Sequence, residues 1–227
     1  MDSLLLINTM LFKGMNEEEI TQALSFLQAK EQIFKKGTGI FHAGMVTDRM
    51  GLILEGSVTI ENNDLWGNRS ILSLLGKGQL FAETYAYLPD EPMLVDVVAN
   101  ENCRILFLKV GSLHNPLTKG APWAITFLSN LLGISAHKNL VLSGRSFHTA
   151  PKTIRGRVMS YLNSVSLQKK QKEFDIPFDR QQLADYLNLE RSALSKELGK
   201  MQKDGLIAVR KNHFSIKTGT AIPLHPA

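Results

Sequence analysis

Between Phe178 and Lys203 the chain reads as two short amphipathic helices joined by only three residues, and few folds accommodate that spacing. Phe178 to Leu187 has Asp179 as a helix N-cap, with Leu183 and Leu187 on one face. Asn188-Leu189-Glu190 then forms a tight turn, and Asn is among the few non-glycine residues that tolerate the left-handed backbone such turns need. From Arg191 to Lys203 the periodicity buries Leu194, Leu198 and Met201 and leaves Arg191, Ser192, Ser195, Lys196 and Lys200 outside. After Gly205, Leu206 to Val209 and Phe214 to Lys217 read as a hairpin whose turn is Arg210-Lys211-Asn212-His213. This is the layout of a helix-turn-helix with a basic wing.

The exposed side chains suit DNA. Arg191 and Lys196 are donors for guanine O6 and N7, while Ser192 and Ser195 bond base edges or phosphate. Arg180 and Gln181 at the start of the first helix, Lys200 on the second and Lys211 in the wing complete the expected contact set, with Arg180 placed for backbone phosphate. Charge follows the same division. From Ala150 onward there are 14 Lys and Arg against 7 Asp and Glu, and residues 1–149 carry 12 against 14. A basic C-terminal third beside a slightly acidic remainder fits a nucleic-acid module, and taken alone it fits a solvated lysine-rich surface equally well.

The rest of the chain has two other textures. Asn16 and the acidic turn after it open a short helix carrying Ile20, Ala23, Leu24 and Leu27 at helical spacing, so residues 8–32 read as short helices. Short apolar runs then alternate with Gly37, Gly39, Gly44, Gly51, Gly56, Gly67, Gly76 and Gly78. Leu52 to Ile60 reads as two strands meeting at a turn, and Leu94 to Ala99 and Arg104 to Lys109 as two more, so residues 31–110 predict a small antiparallel barrel or sandwich. Pro122 to Arg145 is helical, with one apolar stripe of Phe127, Leu131, Ile134 and Val141 and another of Leu128, Leu132 and Leu142. Two stripes demand two burial partners: the chain's own barrel and either more of the same domain or the same helix of a second subunit. Ser143 to Lys152 reads as a hinge, Thr153 to Ser166 as the next helix, and Lys169 to Phe174 as a charged loop.

No apolar run approaches the roughly 20 residues of a membrane span. The start Met1-Asp2-Ser3-Leu4-Leu5-Leu6 lacks the positive region of a secretory signal. The single cysteine, Cys103, forbids an internal disulfide or a cysteine-only metal site, and these features together predict a cytoplasmic protein. Cys103 stands before a predicted strand, where a small buried hydrophobe is the better reading than a redox switch. His42, His114, His137, His148, His213 and His225 show no metal spacing, so no metal is predicted.

The motifs Arg180-Gln181-Gln182-Leu183-Ala184, Arg191 to Leu198 and Asp204-Gly205-Leu206-Ile207 resemble the winged helix-turn-helix of the catabolite-activator and fumarate–nitrate-reductase regulator (CRP/FNR) family. Lys36-Gly37-Thr38, Phe41 to Gly44, Leu52 to Gly56, Gly78 and Phe81-Ala82-Glu83 resemble its cyclic-nucleotide-binding-type roll. The resemblance spans nearly the whole chain and implies an α+β fold: β-roll with flanking short helices over 1–120, dimerisation helix and hinge over 121–147, winged helix-turn-helix over 148–227. It implies a homodimer joined through the long helix, with Phe127, Leu131, Ile134 and Val141 as its dimer-helix residues. It also implies a roughly palindromic double-stranded DNA site, with the two recognition helices in successive major grooves, and RNA polymerase as a further partner. The family usually caps the recognition helix with Ser or Thr, and Glu190 stands there instead.

The resemblance implies an effector pocket at Phe81, Glu83, Met93 and Leu94, and there the chain departs from its family. The cyclic-nucleotide binders carry Gly-Glu and, about ten residues later, Arg followed by Ser or Thr. The glutamate holds the ribose hydroxyl and the arginine neutralises the phosphate. Here the pair is Ala82-Glu83, with Met93 in place of the arginine and Leu94 in place of the hydroxyl residue. A phosphate in a partly dry pocket without its cation loses a charge-assisted pair, so cyclic AMP is not expected in the usual mode, no cofactor is predicted, and the effector is open. The apolar pair fits a small apolar or aromatic effector, or a pocket closed by side chains. Two rival functions are weaker. A cupin-type metalloenzyme needs a His/Glu cluster that Glu83 and distant His42 do not supply. A regulatory module with a purely structural helix-turn-helix has no need for Arg191, Ser192, Ser195 and Lys196 together beside a basic wing.

Overall fold

The computed structural model describes residues 6–63, 69–88, 90–115 and 120–217; Gly67, His225 and the run Met1 to Leu5 lie outside them. The chain divides into two units, Met1–His137 and Lys138–Ala227.

The first unit opens with a 3-10 turn at Met10–Phe12 and helix α1 (Glu17–Phe26). Asn16 and Glu19 cap α1 reciprocally: the Asn16 side chain accepts from the Glu19 N–H at 2.9 Å, and Glu19 accepts from the Asn16 N–H at 2.9 Å. Two four-stranded antiparallel sheets follow. One runs β1 (Lys30–Phe34), β8 (Cys103–Leu108), β3 (Met50–Glu55), β6 (Leu80–Phe81); the other runs β2 (Gly39–Phe41), β7 (Asp96–Ala99), β4 (Ser57–Asn63), β5 (Arg69–Gly76). The expected turn between β3 and β4 is Gly56. Its φ is +79°, and a Cβ there would stand 2.5 Å from the Asn102 carbonyl oxygen, so only glycine fits.

The first sheet is apolar on both faces. Met50, Leu52, Leu54, Leu106 and Leu108 join a core with α1 and the start of helix α3 (Pro122–Thr149), where Phe12, Trp123 and Phe127 pack edge to face. Ile53, Ile105 and Phe107 alternate onto the opposite face and form the roll interior with Val58, Val97 and Phe81. Asn130 donates to the carbonyls of Leu11 (3.0 Å) and Lys13 (2.8 Å), which anchors α3 to the N-terminal turn.

Two of the dimer-helix residues therefore face the other way. Phe127 is 0% and Leu131 7% exposed, both within the first unit's own core, and Ile134 packs partly against that core. The roll needs an apolar lid and takes this stripe for it. At about 100° per residue, Ile125, Leu132, Leu140 and Phe147 share the opposite side of α3, and each is 70% exposed or more. Val141 is exposed too, off that stripe. The expected hinge from Ser143 is also corrected: α3 continues through Gly144 to Thr149. Pro151 ends it, since proline disfavours helix at the residue before it.

In the second unit, Thr153 caps α4 (Ile154–Lys169) by accepting the Gly156 N–H at 3.0 Å. The charged loop expected to reach Phe174 is shorter than that. Lys170 takes the left-handed conformation (φ +53°), and β9 (Glu173–Asp175) follows, pairing with β11 (His213–Ile216) beside β10 (Ile207–Arg210). Sequence alternation missed β9 because three residues among lysines carry only one apolar residue, Phe174, which is buried. Helices α5 (Arg180–Tyr186) and α6 (Arg191–Lys203) complete the unit around Leu183, Leu187, Leu194, Leu198, Met201 and Phe214.

Candidate nucleic-acid interface

Asp179 accepts the Gln182 N–H at 2.8 Å while Gln182 accepts the Asp179 N–H at 2.9 Å, so α5 starts with a closed capping box. At its far end Asn188 takes φ +52°, the left-handed turn expected there, and the Leu189 N–H returns to the Ala184 carbonyl at 2.9 Å. Helix α6 begins three residues later. Its N-cap, Glu190, is extended and makes no side-chain capping bond, so the departure from Ser or Thr leaves this end without a cap of its own.

Arg191, Ser192, Ser195, Lys196 and Lys200 are exposed along one side of α6, with Leu194, Leu198 and Met201 buried on the other. Glu197, between these faces, accepts Arg155 at 2.7 Å, and the same guanidinium reaches Asp204 at 2.7 Å, which holds α6 to α4; the exposed Lys200 ammonium lies 4.0 Å from the other Glu197 oxygen. The wing turn is tighter than its expected four residues. Arg210 pairs with His213, leaving Lys211 and Asn212 at the tip, with Lys211 exposed at φ +57°. Gln181 is exposed and donates to Asp185 at 2.8 Å. Arg180 is half-buried, its guanidinium donates to the Lys211 carbonyl at 3.4 Å, and burial pulls its pKa down. It joins the start of α5 to the wing.

Residues the sequence did not single out hold the turn. Arg157 donates to the carbonyls of Leu187 (3.1 Å), Asn188 (2.9 Å) and Pro151 (2.9 Å). Arg145 donates to those of Tyr186 and Asp185, both at 3.1 Å. A cation at a helix C-terminus satisfies carbonyls that lack an intrahelical partner. Nothing in the one-dimensional pattern marks these arginines, because most of their acceptors are backbone carbonyls some 30 to 40 positions away.

Two histidines give this unit opposing pH responses. His148 is buried, its Nδ1 lies 2.9 Å from the Tyr186 hydroxyl, and burial lowers its pKa from the ordinary 6.5. Its contribution is present above the unfolded value and falls away as pH drops through the lowered folded value, because the unfolded chain takes up the proton first. His213 is bonded by Glu173 at 3.0 Å and Asp175 at 2.8 Å, and these raise its pKa, so its contribution is present at low pH and is lost as pH rises through the raised value. Comparing thermal midpoints of wild type and His148→Gln over about pH 7.5 to 5 isolates the first effect. The wild type is expected to lose more stability than the variant as pH falls; parallel curves would show His148 to be uncoupled from folding.

In the roll, the four expected effector residues have different fates. Phe81 and Met93 are 1% and 2% exposed and belong to the interior core, where Phe41, Phe81 and Phe107 meet edge to face at centroid separations of 5.7–6.3 Å. The Phe81 ring lies against the backbone of Gly51, where a Cβ would stand 2.1 Å from it. Glu83 is buried in the first turn of helix α2 (Glu83–Tyr87), and Ala82 before it takes φ +60°, a conformation glycine would adopt without strain. Leu94 is 69% exposed, and its N–H donates to the Tyr85 hydroxyl at 3.3 Å. A cleft of about 490 Å³ on the second sheet is lined by Lys36, His42, Thr59, Glu61, Asp96 and Asn100 among others, and by none of those four. Cys103 is buried, which raises its pKa away from the reactive thiolate. Among the described residues no group of three His, Cys, Asp or Glu is arranged to hold a metal, and no helix is long and apolar enough to cross a membrane.

An antiparallel roll followed by a long helix and a winged helix-turn-helix defines a two-domain regulator architecture. Residues 31–118 match the cyclic nucleotide-binding domain and residues 156–219 the Crp-like helix-turn-helix domain. The chain thus carries both domains of a CRP-like transcription regulator, a cyclic nucleotide-binding domain followed by a Crp-like helix-turn-helix domain. It is 33% identical over 98 residues to a cyclic AMP receptor protein of Thermus thermophilus, a match spanning 43% of this chain and 44% of that relative. The crystal structure of a Thermus thermophilus catabolite activator protein covers 92% of this chain and 94% of its own at 25% identity and TM-score 0.50. The c-di-GMP-responsive regulator CLP of Xanthomonas campestris covers 90% of this chain and all of its own at 18% identity and TM-score 0.57, a likeness of fold.

Proposed function

We propose that the protein is a cytoplasmic, homodimeric transcription regulator that reads a palindromic DNA site through α6 and is gated by an effector other than a cyclic nucleotide bound in the family's usual mode. The observation that carries the DNA reading is the exposed row Arg191, Ser192, Ser195, Lys196 and Lys200 beside a wing tipped by Lys211. Arg191 and Lys196 supply base-edge donors, while Lys200 and Lys211 supply phosphate contacts. The apolar side of α3 supports the dimer, because four large side chains in a row stay in water in the single chain. RNA polymerase is the further partner we propose, on family resemblance. Selection of bound duplexes from a random library tests the reading. Two inverted half-sites centred about one helical turn apart are expected, and recovery of no preferred sequence would refute it.

The apolar interior supports the second part of the proposal. Where a cyclic phosphate needs a cation the roll has buried Met93, and where it needs a hydroxyl Leu94 points to solvent. Millimolar cyclic AMP is expected to leave the thermal midpoint unchanged. A ligand at 100 times its dissociation constant would add about 2.7 kcal/mol, so a clear rise would overturn this exclusion.

A further inference from the structure

The last turns of α3 have two working sides. Leu140 and Phe147 point outward, and Arg145 and His148 point to the end of α5. There the Arg145 guanidinium donates through Nε to the Tyr186 carbonyl, and through Nη2 to the Asp185 carbonyl at 3.1 Å and the Asn188 side-chain oxygen at 3.3 Å. It also lies 5.6 Å from the centroid of the Tyr186 ring. His148 meets the same tyrosine through its hydroxyl and packs edge to face on Tyr161 at 5.4 Å. These contacts converge on the segment Asp185 to Asn188, the turn from which α6 departs.

Because α6 lacks a capping side chain, the placement of its first residues, Arg191 and Ser192, depends on that turn. We infer that Arg145 is a positioning residue for DNA recognition: it fixes the α5–α6 turn on the end of α3 and so sets where the recognition helix presents Arg191 and Ser192. Arg157 holds the same turn from α4, so loss of Arg145 leaves the turn formed and frees its position relative to α3. The inference rests on α6 being the DNA reader.

The experiment uses the full chain with Arg145→Ala and Arg145→Lys, at a temperature where circular dichroism shows each variant fully folded. Affinity for the selected palindrome and for random duplex is measured across a salt series. Arg145→Ala is expected to lose roughly 3- to 30-fold in affinity for the palindrome, with random-duplex affinity and the salt slope unchanged. Arg145→Lys, which keeps the charge and lacks the planar fork, is expected to recover only part of that loss. Equal loss on both DNAs with a slope reduced by about one would make Arg145 a phosphate contact and overturn the inference. A lowered melting temperature with unchanged affinity would make it structural only, which also overturns it. No sequence preference in the wild type would refute the DNA reading itself, and the inference with it.

Discussion

The double variant Leu132→Glu, Leu140→Glu is expected to be a folded monomer that binds its palindrome about 10²- to 10⁴-fold more weakly than the wild type. Both side chains are 70% exposed in the single chain, so the substitutions remove nothing from either core. In a dimer they would place carboxylates in an apolar seam, where an unpaired charge is costly. The affinity loss follows from valency: the second recognition helix of a bound dimer engages at a high effective concentration, and a monomer forfeits that term. Sedimentation or light scattering reads the oligomeric state, and titration of full and half sites reads the affinity. A variant that stays dimeric, or a wild type that is monomeric at working concentration, would place the subunit contact elsewhere. Substituting Phe127 would not serve as the test, because that ring is buried in its own chain and its loss would destabilise the roll itself.

Arg191→Ala is expected to cost about 1–3 kcal/mol on the selected site, roughly 5- to 150-fold, and little on random DNA. The reason is position: Arg191 is the first residue of α6 and exposed, with no ion pair among the described residues, so its guanidinium is available to a guanine edge without breaking an ion pair first. Arg180 is the contrast. It is half-buried and bonded to the wing, so its replacement is expected to act through the wing rather than through a lost phosphate contact. Equal weakening on both DNAs by Arg191→Ala would reassign that residue to the backbone.

The sequence made the helix-turn-helix legible because its signals are local. A capping residue, three turn residues with Asn188 at their head, and apolar residues at helical spacing each act within one or two turns of chain. The β3–β4 turn was readable on the same grounds, while the α+β class as a whole came from the family resemblance. What it could not show was the choice between two apolar stripes on one helix, since periodicity marks a face without saying what covers it. The stripe with Phe127 and Leu131 went to the roll because Phe12, Leu52 and Leu108 arrive there from distant positions. Strand β9 and the arginine clasp were hidden for a related reason: their partners are fixed by tertiary register, not by neighbours in sequence. Arg145 directs most of its donors to backbone carbonyls, and every residue type offers one.

If the effector proposed above enters the roll interior, the three phenylalanines that meet there bear on sensitivity as well as on specificity. A ligand entering that interior has to wait for a conformation in which Phe81 or Met93 has moved aside. Its apparent affinity is its intrinsic affinity scaled by the fraction of molecules already open, so an opening populated at about 1% would weaken it about a hundredfold. Such a sensor would answer only to an abundant signal, and its threshold could be shifted by trimming one ring without altering a single contact to DNA.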